Sequence, residues 1–450
     1  MSLFKKLFGA EGAAATANAG TATSQPAAVS SGLIEFGRFT DINKNQKQLD
    51  AWKASNDQFK AKNYVDAFEQ FLIYIGDDDI QNVKYTRTPD AVEFEIIQGS
   101  KVIRGRGDAN KFSAEANIVI MDEPSIPVMR KLMSINYALR YSKFALKDNT
   151  LCMKFSSHAI DASPGKLYDA LKELARKADQ QDDLLIQEFS NLKEIDTDSI
   201  IELPENIKNA KYDYLMRLIK ETKEEIGKHD PAFMSGGIAF LLLNLTYEID
   251  YLITPQGGLT DSLEKIQQMF FAQNNKSTQE RNTDILAEYD KILNTPKEKI
   301  MEGIYEVNAT FAIANPASHK SVMDMMFKER EKVGWYRDNN YPQMVEAIYS
   351  YMISYAFFNY GMVFPVSRIL NIGMAVLHPD YYEACGSKPR LNNNGTLDNA
   401  AITAEINAIV AEARKTYPNI AFNTATLNFT SIALFIDSLI LELDRINLSK

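Results

Sequence analysis

The sequence predicts an α+β fold, with a small sheet-and-helix unit in front of an all-helical region, and three observations carry that prediction. Residues 127–184 change period twice. Val128, Leu132, Ile135 and Leu139 recur at helical spacing, Leu151, Met153 and Phe155 alternate with Cys152 and Lys154 as in a strand, and Leu167, Leu171, Leu174, Ala175 and Ala178 return to the helical period. Upstream, Val92, Phe94 and Ile96 alternate with Glu93 and Glu95, the mark of a half-buried strand. After residue 210 nearly every apolar pattern is helical.

In chain order, residues 49–76 read as helix. Tyr64, Phe68, Phe71, Leu72 and Ile75 form the apolar stripe, and Gly76-Asp77-Asp78-Asp79 ends it. A meander of three strands follows, with Ala114, Ala116, Ile118 and Ile120 on one side of the third. Gly99-Ser100 and Gly107-Asp108 are its predicted turns. Residues 122–125 close the meander before the helix that contains Val128 and Leu132. Ser163-Pro164 places a cap and a first-turn proline ahead of the next helix. Residues 191–210 are charged, carry Pro204 and hold no period, so they read as a linker. Helices are then predicted over 212–226, 234–253, 261–273, 279–293, 296–314, 318–332, 342–360, 365–376, 400–417 and 426–446. No fixed repeat relates them, so a single bundle is expected rather than a solenoid.

A chain of 450 residues is too long for one ordinary core. The predicted division is a disordered tail over 1–32, a sheet-containing domain over 40–190, a linker over 191–210 and a helical domain over 211–450. A net charge of -10, without a basic stripe, argues against nucleic acid as a partner. Two cysteines, Cys152 and Cys385, supply neither a disulfide framework nor a zinc pattern, and a reducing cytoplasm is the expected compartment. The first residues lack the apolar run of a normal signal peptide, and Glu11 falls where it would sit. Leu3, Phe4, Leu7 and Phe8 beside Lys5 and Lys6 are the residues through which membrane contact is expected, if there is any. The apolar stretches 238–245 and 347–367 read as buried core, because polar residues interrupt them.

The order helix, three-stranded meander, helix, two strands, helix, with the segment MRKLMSINYALRYSKFALKDNTLCMKF followed by SPGKLYDALKELARKAD, resembles the type III secretion chaperone-like fold, and within it the YbjN family of bacterial proteins. The resemblance covers about residues 59–189 and rests most on Asn136 and the run 141–146 entering a strand. It implies a non-enzymatic binding platform that holds a protein partner or forms a homodimer. It implies no catalytic motif and no cofactor.

Candidate chemistry is sparse. Arg368 and Asp437 sit in otherwise apolar helical segments, and a charge there needs a partner, so a buried polar network of Arg368, Asp437, Glu248 and Asp250 is expected. It reads as a structural clamp, and as the centre of an enzyme in the alternative. Residues 378–385 gather His378, Asp380, Glu383 and Cys385, but the spacing fits no metal or thiol-protease pattern, so no metal and no catalytic residue is assigned. Phosphate-binding glycine patterns are missing. Trp335, Tyr336 and Arg337 bring together the residue types that dominate interface hot spots and form the candidate binding group. The expected function is a protein-binding or chaperone-like adaptor. An enzyme with its site in the helical half and a peripheral membrane scaffold are the alternatives.

Overall fold

The computed structural model describes residues 37, 44–78, 80–311 and 314–449. The amino-terminal tail, with Leu3, Phe4, Leu7 and Phe8, lies outside the described residues. The chain is α+β, as its periodicity predicts. The front unit runs α1 (Gln46–Lys60), α2 (Tyr64–Ile75), β1 (Val83–Arg87), β2 (Ala91–Gln98), β3 (Lys101–Asp108), β4 (Lys111–Met121), α3 (Ile126–Ala138), β5 (Lys143–Lys147), β6 (Thr150–His158), α4 (Pro164–Glu188) and β7 (Leu192–Glu194). The meander therefore has four strands rather than three. All pairings are antiparallel, in the order β1-β2-β3-β4-β6-β5, with β7 also on β4.

One face of this sheet is core and the other is a lattice of ions. Val92, Phe94, Ile96, Ile103, Phe112 and Phe155 are buried with the α2 and α4 stripes, in which Phe68, Phe71, Leu72, Leu167, Leu171 and Leu174 are the large residues. On the open face, directly opposed residues pair across strands: Glu93 with Arg106 at 2.7 Å, Glu95 with Arg104 at 3.1 Å and Glu115 with Lys154 at 3.0 Å.

Three local expectations change for physical reasons. The second turn is at Ala109-Asn110, where the Asp108 carboxylate accepts from the N–H groups of Asn110 and Lys111. Gly107 lies inside β3 because a side chain there would meet the Phe68 ring at 2.5 Å. In β4, a bulge between Asn117 and Val119 inserts Ile118, so Val119 and Met121 turn inward while Ile120 stays half-buried.

Residues 191–210 are not a loose linker: they add β7 to the sheet, form β8 (Ile200–Ile201) and begin α5 (Glu205–Ile226). The back unit continues through α6 (Ser235–Ile253), α7 (Gly257–Phe271), α8 (Thr278–Asn294), α9 (Lys297–Glu302), β9 (Glu306–Val307), β10 (Asn315–Pro316), α10 (His319–Arg330), α11 (Val333–Asp338), α12 (Pro342–Asn359), β11 (Tyr360–Gly361), α13 (Phe364–Leu377), α14 (Pro379–Ala384), α15 (Asn399–Ala413) and α16 (Ile432–Asp444). Buried almost all round, α6 packs against α12 at the centre. It is long and apolar enough to cross a membrane, yet 83% of that stretch is buried inside the fold.

The helix predicted over 296–314 stops at Glu302. Beyond it Ile304, Tyr305, Ala309, Thr310 and Phe311 are buried in irregular chain that docks on the front unit. Ile200 pairs with Val307 in a short antiparallel ladder. The Ala309 carbonyl accepts from the Gly99 N–H at 2.8 Å, and the Phe311 N–H donates to the Gln98 side chain. Phe311 itself enters the core beneath the sheet, 5.6 Å from the Tyr168 ring. The two units are thus joined by a side chain that one of them lends to the other's core.

Candidate functional site

Helix α3 is apolar on two faces. Val128 and Leu132 pack inward, as their spacing predicts. On the outer face Ile126, Met129, Met133 and Tyr137 succeed one another at i, i+3, i+7 and i+11, and Met133 and Tyr137 are 71% and 96% exposed. Leu146, on the adjoining edge strand β5, shares the helix-covered face with Phe144 and is also exposed. Single exposed apolar residues are ordinary, but an exposed stripe along one helix is not.

The stripe is held on a fixed base. The Asn136 side-chain oxygen accepts from the Phe144 N–H at 2.7 Å, fixing the end of α3 to the start of β5. The Glu173 carboxylate, on α4, accepts from the N–H groups of Arg140, Tyr141 and Ser142 at 2.8 Å each and from the Ser142 hydroxyl at 2.7 Å. Burial would raise this carboxyl, but the donors from Ser142, Arg140 and Tyr141 outweigh it and hold Glu173 below its ordinary range. Strand β5 ends the sheet, so its outer backbone edge is the site where a further strand could add.

The second candidate group lies in the back unit. Trp335, Tyr336 and Arg337 fall on the short helix α11 rather than in a loop. Trp335 is 52% exposed, stacked 6.0 Å from Tyr341, while Tyr336 is half-buried against the helical core and Arg337 is exposed beside Asp338. Tyr336 and Tyr341 thus brace Trp335, whose ring keeps a large free face. Replacing Trp335 and Tyr336 by Ala is expected to weaken a complex made through this helix at least tenfold with the fold retained, read by pull-down beside a thermal melt.

The expected clamp does not join Arg368 to Asp437 or Glu248. Arg330, not Arg368, holds Asp437, bidentately at 2.6 and 2.8 Å, and the Tyr349 hydroxyl adds a bond at 2.9 Å. Arg368 lies on the exposed side of α13, with its guanidinium 6.0 Å from the Phe364 ring, and Asp250 is half-buried. Glu248 belongs to a different, sealed cluster. It accepts from the Ser350 hydroxyl, its Oε1 is 3.5 Å from His378 Nε2, and His378 Nδ1 is 2.6 Å from the Tyr214 hydroxyl. None of Glu248, Asp250, Arg368 and Asp437 lines the large cleft between the two units. The His378 partnership crosses more than a hundred residues, and no local spacing announces it.

Within that cluster burial pushes Glu248 up to about 7, against the hydrogen bonds from Ser350 and Asn244, and pushes His378 down to about 3, helped by the Arg217 charge. The two side chains are therefore a neutral pair near pH 6. A carboxyl raised in the folded state contributes stability below its ordinary value of 4.5, and that contribution is lost as pH climbs through 7. Glu248→Gln, which cannot ionise, should gain on the natural protein by about 3 kcal/mol across that window. Melting curves between pH 5 and 8 check it; a constant difference would mean that Glu248 does not titrate there.

Compared with known protein families and with curated proteins, the chain finds no match. Among the described residues no group of three or more His, Cys, Asp or Glu could hold a metal ion, and the two cysteines are buried and unpaired with each other.

Proposed function

We propose that this chain is a protein-binding adaptor, and that its docking surface is the outer face of α3 with the neighbouring edge strand β5. The single observation that carries the reading is the exposed row Ile126, Met129, Met133 and Tyr137 on a helix whose opposite face is already satisfied by the core. Apolar residues three and four apart along a helix match the seam of a second amphipathic helix laid beside it, so such a helix in another protein is the proposed partner. Methionine suits this role because its unbranched, polarisable side chain adapts to differently shaped surfaces. The YbjN-like, chaperone-like reading of residues 59–189 points the same way, toward a platform that holds protein segments in a reducing cytoplasm.

The open face of the sheet is a poor rival surface, since its cross-strand ion pairs would have to be desolvated. Affinity capture from the source cells tests the proposal. The natural chain should retain a partner that Met133→Asp/Tyr137→Asp loses, while both proteins melt at the same temperature, because neither side chain is in the core. Equal retention by the two would refute it. Sedimentation of the purified chain tells whether a second copy fills the surface instead.

A further inference from the structure

The cleft between the front and back units is lined from both sides: β3, β4 and α4 supply Lys101, Ile118, Asp182, Asp183 and Ile186, and the back unit supplies Met301 and Tyr305 among others. Its volume is about 660 Å³, within the range of small-molecule sites. Seven carboxylates face three lysines around it. Those lysines are already engaged. Lys101 Nζ is 2.8 Å from both Asp182 Oδ2 and the Ile195 carbonyl, Lys208 is 2.7 Å from Glu202, and Lys297 donates to Asn209 while lying over the Tyr212 ring. At the inner end the Asp182 side chain is only 8% exposed, and its Oδ1 has no hydrogen-bond partner. A buried carboxylate oxygen without a donor is costly, and the cleft is where a donor could arrive.

We propose that this cleft binds a small polyamine, a flexible molecule carrying two or more primary ammonium groups. An ammonium ion brings three donors and a point charge, which suits separate carboxylates spread over a cleft. Ile118, Ile186 and Met301 offer apolar wall to the methylene spacers between such groups. A metal ion is the poorer fit, because the carboxylates do not converge on one point. The inner ammonium would lie on Asp182 and Asp183, and the outer one among the glutamates of the back unit, such as Glu298.

Asp183 makes the binding pH-dependent. It receives the Tyr305 hydroxyl at 3.0 Å, and the other groups around it are Asp179 and Asp182 on its own helix and Lys101 on β3. Burial first, then the neighbouring Asp182 charge, hold the Asp183 carboxyl above its ordinary range, so an arriving ammonium displaces a proton. Binding therefore tightens as pH rises through neutrality.

Titration calorimetry of the full chain with spermidine, in two buffers of different ionisation enthalpy at pH 7 and 150 mM salt, tests this. One spermidine per chain is expected, with proton release. Asp183→Asn should abolish the release and weaken binding at least tenfold, and Glu298→Gln, on the rim and outside the core, should weaken it severalfold without altering the fold. No saturable binding, binding that both variants leave unchanged, or full replacement of spermidine by magnesium at equal charge would overturn the proposal. Tighter binding of tetralysine than of spermidine would also overturn it, since the site would then be one for a lysine-bearing peptide.

Discussion

Phe311→Ala is expected to lower the stability of the front unit by about 3–5 kcal/mol, the usual loss for a fully buried phenylalanine. The residue comes from the back unit but is buried among Tyr168 and the aromatic core under the sheet. Its backbone tie to Gln98, and that of Ala309 to Gly99, do not depend on the ring and should persist in the variant. The loss therefore reports the side chain alone. The chain provides its own probes, since it has two tryptophans, Trp52 packed on Tyr74 in the front unit and Trp335 in the back. In urea, the Trp52 signal should fall at clearly lower denaturant in Phe311→Ala while the Trp335 signal moves less. Unchanged midpoints for both would show that the ring does not join the two cores.

Lys101→Met should cost about 3–5 kcal/mol at pH 8, because removing one partner of a buried ion pair strands the other. Lys101 is almost wholly buried, with Asp182 and the Ile195 carbonyl as its contacts, and Asp179 and Asp183 crowd the same turn of α4. Burial already raises Asp182 against the pull of Lys101. Without the lysine its folded-state value rises further, so stability is retained where the unfolded carboxylate is itself protonated and is lost as pH climbs. The deficit should accordingly be large at pH 8 and small near pH 4, measured by denaturation at both. An equal deficit at the two would assign the loss to the packing of the lysine stem instead of its charge.

Much of the fold was legible in local period. The stripes Phe68, Phe71, Leu72 and Ile75 on α2, and Leu167 to Ala178 on α4, are buried as their spacing predicts, because an amphipathic helix on a sheet has only one way to hide its apolar face. The misreadings fall where tertiary contact overrules the local signal. Gly107 looked like a turn residue, but its missing side chain makes room for Phe68. Ile118 continued a clean alternation that a bulge interrupts. Residues 303–311 are apolar enough for helix, yet past Glu302 Ile304 stays in the back unit's core, Glu306–Val307 pairs as β9, and Phe311 is drawn into the front unit's core.

The candidate surface was half legible. Val128 and Leu132 marked the inner face of α3, and the second apolar row on the same helix was open to the same counting of three and four. Asp179, Asp182 and Asp183 likewise share one face of α4, between the buried Ala178 and Leu185. That signal gained meaning only when the back unit closed over it. Arg330 as the partner of Asp437, and His378 beside Glu248, are pairings across long sequence separation that no local pattern encodes.

Site-specific photo-crosslinking inside the source cells tests the central claim most directly. A benzophenone side chain placed at position 137, and separately at position 133, should join the chain to one and the same protein. The same group at position 85, on the exposed opposite edge of the sheet, should not. Crosslinks from position 85 or from α11 to that protein, with none from 133 or 137, would contradict a docking surface on α3.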